Sequence, residues 1–281
     1  MINKTPEGIL LVDKPKGITS FDLVAQVRRT HGIRAVGHTG TLDPFATGLM
    51  VVLLGRYTRF SHYITSEDKV YEAEVLLGQG TDTDDCDGQV VSEAWVHSLE
   101  TEEIEAALQQ FMGKQLQVPP IYSAISIGGE RAYKKARRGE QLELPAREIE
   151  IFELKLLKRV DHHRFCFRAH VSKGTYIRAL ARDLGRTLGF PAHLTELRRT
   201  RVGHYDIKDC SPELREGPAA LLNLPKIAID ESIALAIRKG QKPSFPLDTE
   251  LDFRLALAHY KDEIIGIVRV EQGCLIPVRG F

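Results

Sequence analysis

The stretch GHTGTLDPFATGLMVVLLG, residues 37–55, joins a glycine-rich loop to an unbroken apolar run. The apolar part, residues 49–54, contains no charged side chain, which is typical of a buried strand. The loop carries a single acidic residue, Asp43, directly before Pro44. A proline disfavours the helical conformation for the residue that precedes it, so Asp43 is expected to be extended. The stretch predicts a rigid loop that presents one carboxylate at the mouth of a buried strand.

Strand signals outnumber helix signals along the rest of the chain. KVYEAEVLLG and RFCFRAHV alternate between apolar and polar residues, as half-buried strands do. Helices are predicted where Thr19 and Asp22 have capping-box spacing, where Thr101 is placed as the N-cap of TEEIEAALQQ, and in TYIRALARDLG. Because the two types do not alternate strictly, we expect an α+β fold with a mixed or antiparallel central sheet and flanking helices.

The composition is that of an ordinary globular protein with a substantial core. No apolar run is long enough for a bilayer, and no signal-peptide layout is found, so a soluble cytoplasmic protein is expected. The cysteines are isolated, and no phosphate-binding or dinucleotide-binding glycine motif occurs. The sequence therefore gives no reason to expect a metal or a cofactor.

The character of the sequence changes near Pro225, where a helical segment leads into short strand signals separated by turns. We therefore divide the chain into a main domain at residues 1–225 and a small β-rich module at residues 226–281.

Three charged runs invite a functional interpretation. RAYKKARR (residues 131–138) carries five cations around Tyr133, and LRRTR (residues 197–201) carries three. Each could be a solvated face or a basic patch that binds phosphates, and the aromatic residue favours RNA for the first. TDTDDCDG (residues 81–88) lacks the spacing of an EF-hand calcium loop and is predicted to be a solvated turn.

The motifs together resemble the bacterial tRNA pseudouridine synthase B family. GHTGTLDPFATGLMVVLLGRYTR is similar to the family's catalytic segment. LLVDKPKGITSFDLV, KVYEAEVLLGQGTDTDDCDG, PPIYSAISIGGERAYKKARRGE, SKGTYIRALARDLG and LRRTRVG are similar to further family motifs, in the family's order. The resemblance covers most of residues 8–205. It implies isomerisation of the T-loop uridine of tRNA (position 55) to pseudouridine.

The resemblance also implies residue roles. Asp43 would be the nucleophile that acts on a flipped-out uridine, and Arg178 would pair with it and keep it ionised. Tyr71 would stack on the uracil near its C5 proton. No cofactor and no metal are implied, since the atoms of the substrate are only rearranged.

The uridine must leave the RNA stack before it can react, and the remaining assignments concern its pocket. The resemblance implies that Tyr176 and Leu197 line the base pocket together with Tyr71. His38 would fill the space that the uridine vacates in the RNA loop.

The implied partner is the T-arm stem-loop of tRNA, with no DNA, no membrane and no obligatory protein partner. RAYKKARR would lie in an insertion that closes over the T-arm, and residues 226–281 resemble a PUA-type RNA-binding module. RNA would be recognised by the shape of a splayed loop and its phosphates. Ser126 stands where the family usually has a lysine, which removes one expected cation from the insertion.

Two other classes of function remain open at this point. The chain could be a catalytically silent RNA chaperone on the same scaffold, or a metal-dependent nuclease or phosphatase built on TDTDDCDG. A guide-RNA-dependent form of the isomerase is a further alternative. Asp43→Asn separates the isomerase from the chaperone, since it should abolish turnover and leave RNA binding, and inhibition by chelators would indicate the metal-dependent enzyme.

Overall fold

The structure is a computed structural model that describes residues 6–123, 125–127, 129–138, 140, 143–221, 224–245 and 254–281. The helices are α1 (Ser20–His31), α2 (Ser61–Thr65), α3 (Thr101–Gln109), α4 (Ala132–Arg137), α5 (Ile177–Thr187) and α6 (Glu231–Arg238), with 3₁₀ turns at Gly55–Phe60, Ile207–Asp209 and Pro218–Ala220. None of the described helices has the length and apolar composition that a membrane crossing requires.

The strands are β1 (Gly8–Lys14), β2 (Val36–His38), β3 (Thr47–Leu54), β4 (Lys69–Leu77), β5 (Gln79–Thr81), β6 (Val90–Glu93), β7 (Gly113–Gln117), β8 (Ser126–Ile127), β9 (Glu130–Arg131), β10 (Arg147–Arg159), β11 (Arg164–Val171), β12 (Ala192–Val202), β13 (Tyr205–Asp206), β14 (Lys226–Ala228), β15 (Leu255–Tyr260), β16 (Glu263–Glu271) and β17 (Cys274–Gly280).

A nine-stranded mixed sheet forms the centre of the described chain. Its order is β1-β3-β12-β4-β11-β10-β7, with β2 paired to β3 and β13 paired to β12. The β3–β12 pair is parallel and its other pairs are antiparallel. The prediction of an α+β fold with a mixed central sheet is confirmed.

The sequence of strand β3 is continuously apolar because the strand lies between two cores. Met50 and Val52 face the larger core, which α1, α3 and α5 cover, whereas Leu49 and Val51 face a second core on the other side. All four side chains are at most 1% exposed. A strand that lies between two cores has no solvent face, so the usual alternation with polar residues is lost. This rigid strand carries the loop in which Asp43 lies.

The helix ends agree with the capping signals at one helix and differ at another. Thr19 caps α1 in a capping box with Asp22, as predicted, and Gly32 ends the helix in the left-handed conformation. The prediction of Thr101 as the N-cap of α3 was wrong by one residue. Glu100 is the N-cap, and its N–H donates to the Glu103 carboxylate at 2.7 Å, because glutamate at that position closes a capping box from the other direction.

A separate four-stranded sheet, in the order β14-β15-β16-β17, is built from the C-terminal part of the chain. Leu257, Ile264 and Ile267 of this sheet belong to the second core, which they share with β1 and β3. Phe281 stacks on Phe60 with ring centroids 5.3 Å apart. These contacts pack the second sheet against the face of the central sheet opposite α5.

Gly48 tests the packing that holds the loop-bearing strand. Its φ of +107° disfavours any residue with a side chain, and a Cβ there would lie 2.3 Å from the Arg199 carbonyl oxygen on β12. We expect Gly48→Ala to lower the free energy of unfolding by about 2 kcal/mol or more, measured by chemical denaturation.

The matched control is Gly37→Ala, because a Cβ at Gly37 would meet no heavy atom within 4 Å. It should change the free energy of unfolding by less than about 0.5 kcal/mol. Equal effects of the two substitutions would contradict the close approach of β3 and β12 at Gly48.

Candidate active site

The loop between β2 and β3 is fixed at several backbone atoms. The Asp43 carbonyl accepts the Ala46 N–H at 3.1 Å, which closes a turn around Pro44. The Pro44 carbonyl accepts the Gly17 N–H at 2.8 Å and lies 3.3 Å from the fully buried Lys14 Nζ. These bonds leave the turn little freedom, so the direction of the Asp43 side chain is set by the fold.

A serine from α1 completes the attachment of the loop. Ser20 Oγ accepts the Leu42 N–H and donates to the Leu42 carbonyl, both at 2.9 Å. Ser20 is 3% exposed. The sequence analysis did not single it out, since its partner lies 22 residues away and no motif links them.

The carboxylate of Asp43 is bound by Arg178. Arg178 Nε lies 3.0 Å from Asp43 Oδ2, and its Nη2 lies 3.5 Å from Asp43 Oδ1. The Arg178 side chain is only 6% exposed, whereas 34% of the Asp43 side chain remains open. The guanidinium therefore holds the carboxylate from the protein side and leaves part of it accessible. The structure brings together the two residues that the resemblance paired.

The other N–H groups of Arg178 also have partners. Nη1 donates to the Thr83 carbonyl at 2.9 Å and lies 3.1 Å from Asp85 Oδ2. Nη2 donates to the Tyr122 carbonyl at 2.9 Å. A buried guanidinium with all donors satisfied is fixed in position as well as in charge. Arg178 therefore joins two carboxylates, Asp43 and Asp85, on either side of one cation.

TDTDDCDG forms a turn after β5, as predicted, but the turn is not solvated throughout. Asp85 is 4% exposed, and its Oδ1 accepts from Thr83 Oγ1 at 2.6 Å and from the Asp87 N–H at 3.1 Å. Asp84 lies 2.9 Å from Arg182 on α5. The density of acidic residues was the only sequence signal, and it could not show that two of them face arginines nearly a hundred residues away.

These ion pairs also bear on the metal-dependent alternative. Asp84 and Asp85 each bind an arginine through one carboxylate oxygen. These oxygens are the atoms that would otherwise bind a metal ion. Among the described residues, no group of three or more His, Cys, Asp or Glu side chains could hold a metal ion. The acidic loop is therefore part of an arginine site.

The charge balance of the site affects the pKa of Asp43. Burial raises the pKa of this carboxyl above its ordinary value, and the nearby charges of Asp85 and Asp87 raise it further. Arg178, and more weakly Lys14, oppose this by favouring the ionised form. Two carboxylates share one close cation, so the net charge of the three groups is negative, and this opposes ionisation of Asp43.

Tyr71 and Leu197 lie in the core beside the loop. Both are nearly buried, at 8% and 7% exposure, and belong to the cluster that includes Leu42 and Phe45 on either side of Asp43. Tyr71 lies on β4 directly opposite Arg199 of β12, in the strand pair that carries Leu197. The two residues therefore lie on adjacent strands of the same core, and no described hydrogen bond or ion pair joins either of them to Asp43.

Tyr176 is the N-cap of α5, two residues before Arg178. Burial raises the pKa of its hydroxyl, against the opposing effects of Ser123, Arg147 and Arg178. Its backbone N–H and carbonyl are both bound by the side chain of Gln117, at 2.9 and 3.1 Å. Gln117 was not identified from the sequence, because its position at the end of a strand carries no periodic signal.

The ring of His38 is attached to the backbone of the loop. His38 Nδ1 accepts the Gly40 N–H at 3.2 Å. Burial, and then the charge of Arg199, lower the pKa of His38, which favours the neutral ring that this bond requires. Its described contacts are to Gly40, and none of them joins it to Asp43 or Arg178.

The run LRRTR was expected to be a solvated face or a phosphate-binding patch, and the structure shows that one of its three arginines is instead buried. Arg199 is 2% exposed and donates to the Leu49 and Gly40 carbonyls at 2.8 and 3.0 Å. The other two arginines pair with acids: Arg198 with Asp13 at 2.6 Å and Arg201 with Asp68 at 3.3 Å. Because Arg199 is buried and the other two are not, the three cations do not form one exposed patch.

The basic run of the insertion is partly neutralised as well. Residues 132–137 of RAYKKARR form α4. Arg138 pairs with Glu130 at 2.6 Å and with Glu140 at 2.7 Å. Because these pairs are exposed, they are weak and can exchange for phosphates at little cost.

Comparisons with known proteins agree with one another. The model of the TruB family pseudouridylate synthase N-terminal domain matches residues 28–177, and that of the tRNA pseudouridylate synthase B C-terminal domain matches residues 178–214. A tRNA pseudouridine synthase B from Deinococcus radiodurans is 40% identical over 275 residues, covering 85% of this chain and 89% of the relative. One from Opitutus terrae is 47% identical over 206 residues, covering 73% and 85%.

Solved structures share the fold at lower identity. A Cbf5–Nop10–Gar1 complex matches with a TM-score of 0.73 at 24% identity, covering 98% of this chain and 84% of the matched one. An H/ACA RNP bound to a substrate RNA that contains 2'-deoxyuridine matches with a TM-score of 0.72 at 21% identity and the same coverage. At this identity the likeness establishes the fold alone.

The pKa of Asp43 tests the electrostatics of the site. Arg178 favours the ionised carboxylate, so Arg178→Met should raise the pKa of Asp43 above its wild-type value. The measurement is a carboxyl ¹³C NMR titration of protein labelled at aspartate, with the Asp43 signal assigned by Asp43→Asn.

Arg186→Met is the matched control on the same helix, because Arg186 is 70% exposed and pairs with Asp183. It should leave the Asp43 titration unchanged. An Asp43 pKa that does not respond to Arg178→Met would show that the guanidinium and the carboxylate are not in contact in solution.

Proposed function

The chain belongs to the TruB family of pseudouridylate synthases, and we propose that Asp43 is the nucleophile with which it converts a uridine of tRNA to pseudouridine. The observation that carries the assignment is the fixed, partly open Asp43 carboxylate bound by the buried Arg178 guanidinium. The T-loop uridine at position 55 is proposed as the substrate nucleotide.

The reaction needs little from the protein beyond a placed carboxylate and a shielded pocket. The C1′–N1 glycosidic bond breaks, the uracil turns, and C1′ bonds to C5. The C5 proton leaves and N1 takes up a proton, so atoms and charge balance without an oxidant or reductant. A carboxylate can bond to the sugar or the base during this rearrangement and then leave again. Its direction is fixed by the turn at residues 43–46.

Arg178 supports this role in two ways. It favours the ionised form of Asp43, which opposes the effect of burial on the pKa. It also aims the carboxylate, since Asp85 and the Tyr122 carbonyl hold the guanidinium from the other side. A nucleophile that is already oriented loses less entropy on the way to the transition state.

The remaining pocket roles are proposals of the same kind. Tyr71 and Leu197, on adjacent strands of the core beside the loop, would line the pocket, where Tyr71 can stack on the uracil and reach the C5 proton. Tyr176 lies at the start of α5 beside Arg178 and would close the pocket from another side. His38, neutral and held by Gly40, would fill the space left in the RNA when the uridine flips out.

RNA contact is proposed for the insertion around α4 and for the module at residues 226–281. In the insertion, the exposed Arg138 can exchange Glu130 and Glu140 for phosphates. Ser126 supplies no cation where the family usually has lysine, so the contact rests on the remaining basic residues. We expect the enzyme to act in the cytoplasm on tRNA, without an obligatory protein partner.

The decisive experiment uses an unmodified T-arm hairpin with tritium at C5 of its uridines and the purified chain alone. Isomerisation replaces the C5–H bond, so one tritium per hairpin should appear in water. Asp43→Asn should abolish release yet bind the hairpin within about tenfold of the wild-type affinity, because it removes an interaction made mainly in the transition state.

Asp209→Asn is the matched control, since Asp209 is exposed and lies 3.9 Å from Arg215, its nearest cation. It should release tritium at the wild-type rate. Tight binding of the hairpin by the wild type without any release would instead support the RNA chaperone. Parallel loss of binding and release in Asp43→Asn would mean that Asp43 has a structural role.

A further inference from the structure

Residues 117–123 lie across the start of α5, next to the Asp43–Arg178 pair. The segment begins at the last residue of β7, at the edge of the central sheet, and leads into the insertion around α4. It contacts only a few α5 residues, but each of them belongs to the site or lies beside it. The contacts are Gln117 with Tyr176, Val118 with Arg182 and Tyr122 with Arg178.

The contact between Gln117 and Tyr176 is made by a side chain at two points. Gln117 Oε1 accepts the Tyr176 N–H at 2.9 Å, and Gln117 Nε2 donates to the Tyr176 carbonyl at 3.1 Å. Gln117 is 5% exposed. A buried amide that uses both its oxygen and its nitrogen on one residue fixes the rotation of that residue as well as its distance.

Tyr176 depends on such a partner because of its position. It is the N-cap of α5, in an extended conformation with φ −100° and ψ 113°, and its own side chain makes no capping hydrogen bond. Backbone groups at the start of a helix lack partners within the helix. Gln117, at the end of β7, supplies a partner for the Tyr176 N–H. This bond fixes the direction in which the Tyr176 side chain extends from the backbone.

We propose that Gln117 is a positioning residue for the isomerisation, which acts through Tyr176 on the pocket and through the first turn of α5 on Arg178. This inference rests on the proposed function of Asp43 and Arg178. Gln117 touches neither Asp43 nor Arg178 through its described hydrogen bonds, so it has no chemical step of its own. Its contribution is the accuracy with which the first turn of α5 meets the catalytic loop.

Loss of the Gln117 amide should slow catalysis without weakening RNA binding. Loss of the amide leaves the Tyr176 N–H without its partner and frees the first turn of α5 to shift. A shift of about 1 Å in reacting groups can slow a reaction about a hundredfold, although ground-state binding barely changes. The RNA surface is not altered, so the substitution should affect kcat and spare KM.

The test compares Gln117→Leu with Gln115→Leu in the tritium-release assay. Gln115 lies on the same strand, two residues earlier, and donates to the Phe111 carbonyl, away from α5. We expect kcat to fall about tenfold or more in Gln117→Leu, with KM and the hairpin Kd within about twofold of wild type. Gln115→Leu should keep kcat within about twofold.

Unfolding temperatures of both variants show whether lost activity reflects lost folding. If Gln117→Leu keeps the wild-type kcat, or loses it only in proportion to its unfolded fraction, the proposal is wrong. A wild-type chain that releases no tritium would instead defeat the proposed function, and the two failures are thereby distinguished.

A second variant tests the two-point contact itself. Gln117→Glu keeps the shape of the side chain and an acceptor for the Tyr176 N–H, but it places an oxygen against the Tyr176 carbonyl. It should fold and show a kcat below that of the wild type. A Gln117→Glu enzyme as fast as the wild type would overturn the claim that the amide nitrogen positions Tyr176.

Discussion

The guanidinium of Arg178 is the constraint on which the arrangement of the site depends. It is buried, all its N–H groups are bound, and it holds Asp43 and Asp85 on either side. A buried cation is costly unless its charge and donors are fully matched. The loops that carry the two carboxylates and the Tyr122 carbonyl must therefore close around it together, which couples the fold of the site to its electrostatics.

The fold supplies these partners from four separate parts of the chain. Asp43 comes from the loop before β3, Asp85 from the turn between β5 and β6, and Arg178 from the first turn of α5. The Tyr122 carbonyl comes from the segment after β7. Strand β3 is fixed between two cores, so the loop at its start is held on a rigid support. Gln117 adds a bond at the point where α5 begins. The site is thus positioned by long-range contacts on regular elements.

The sequence predicted what local signals can carry. The unbroken apolar run of β3, the capping box of α1 and the alternation in β4 and β11 each reflect one element, and each prediction is confirmed. The pairing of Asp43 with Arg178 came from a family resemblance, since 135 residues separate them. The burial of Asp85 and of Arg199 was missed for one reason: the environment of a charged residue depends on which distant charge or carbonyl faces it. Spacing along the chain contains no such information.

The central claim is that Asp43, Arg178 and Asp85 act as one unit, because Asp85 holds the guanidinium that binds Asp43. Its most direct test is a double-mutant cycle on kcat for tritium release, with Arg178→Met, Asp85→Asn and the combined variant. The effects of substituting residues that act as a unit are not additive. Each single variant should therefore be slow, and the double variant should be no slower than Arg178→Met, within about threefold. If the two losses multiply instead, Asp85 acts independently of Arg178, and the account of the site is wrong.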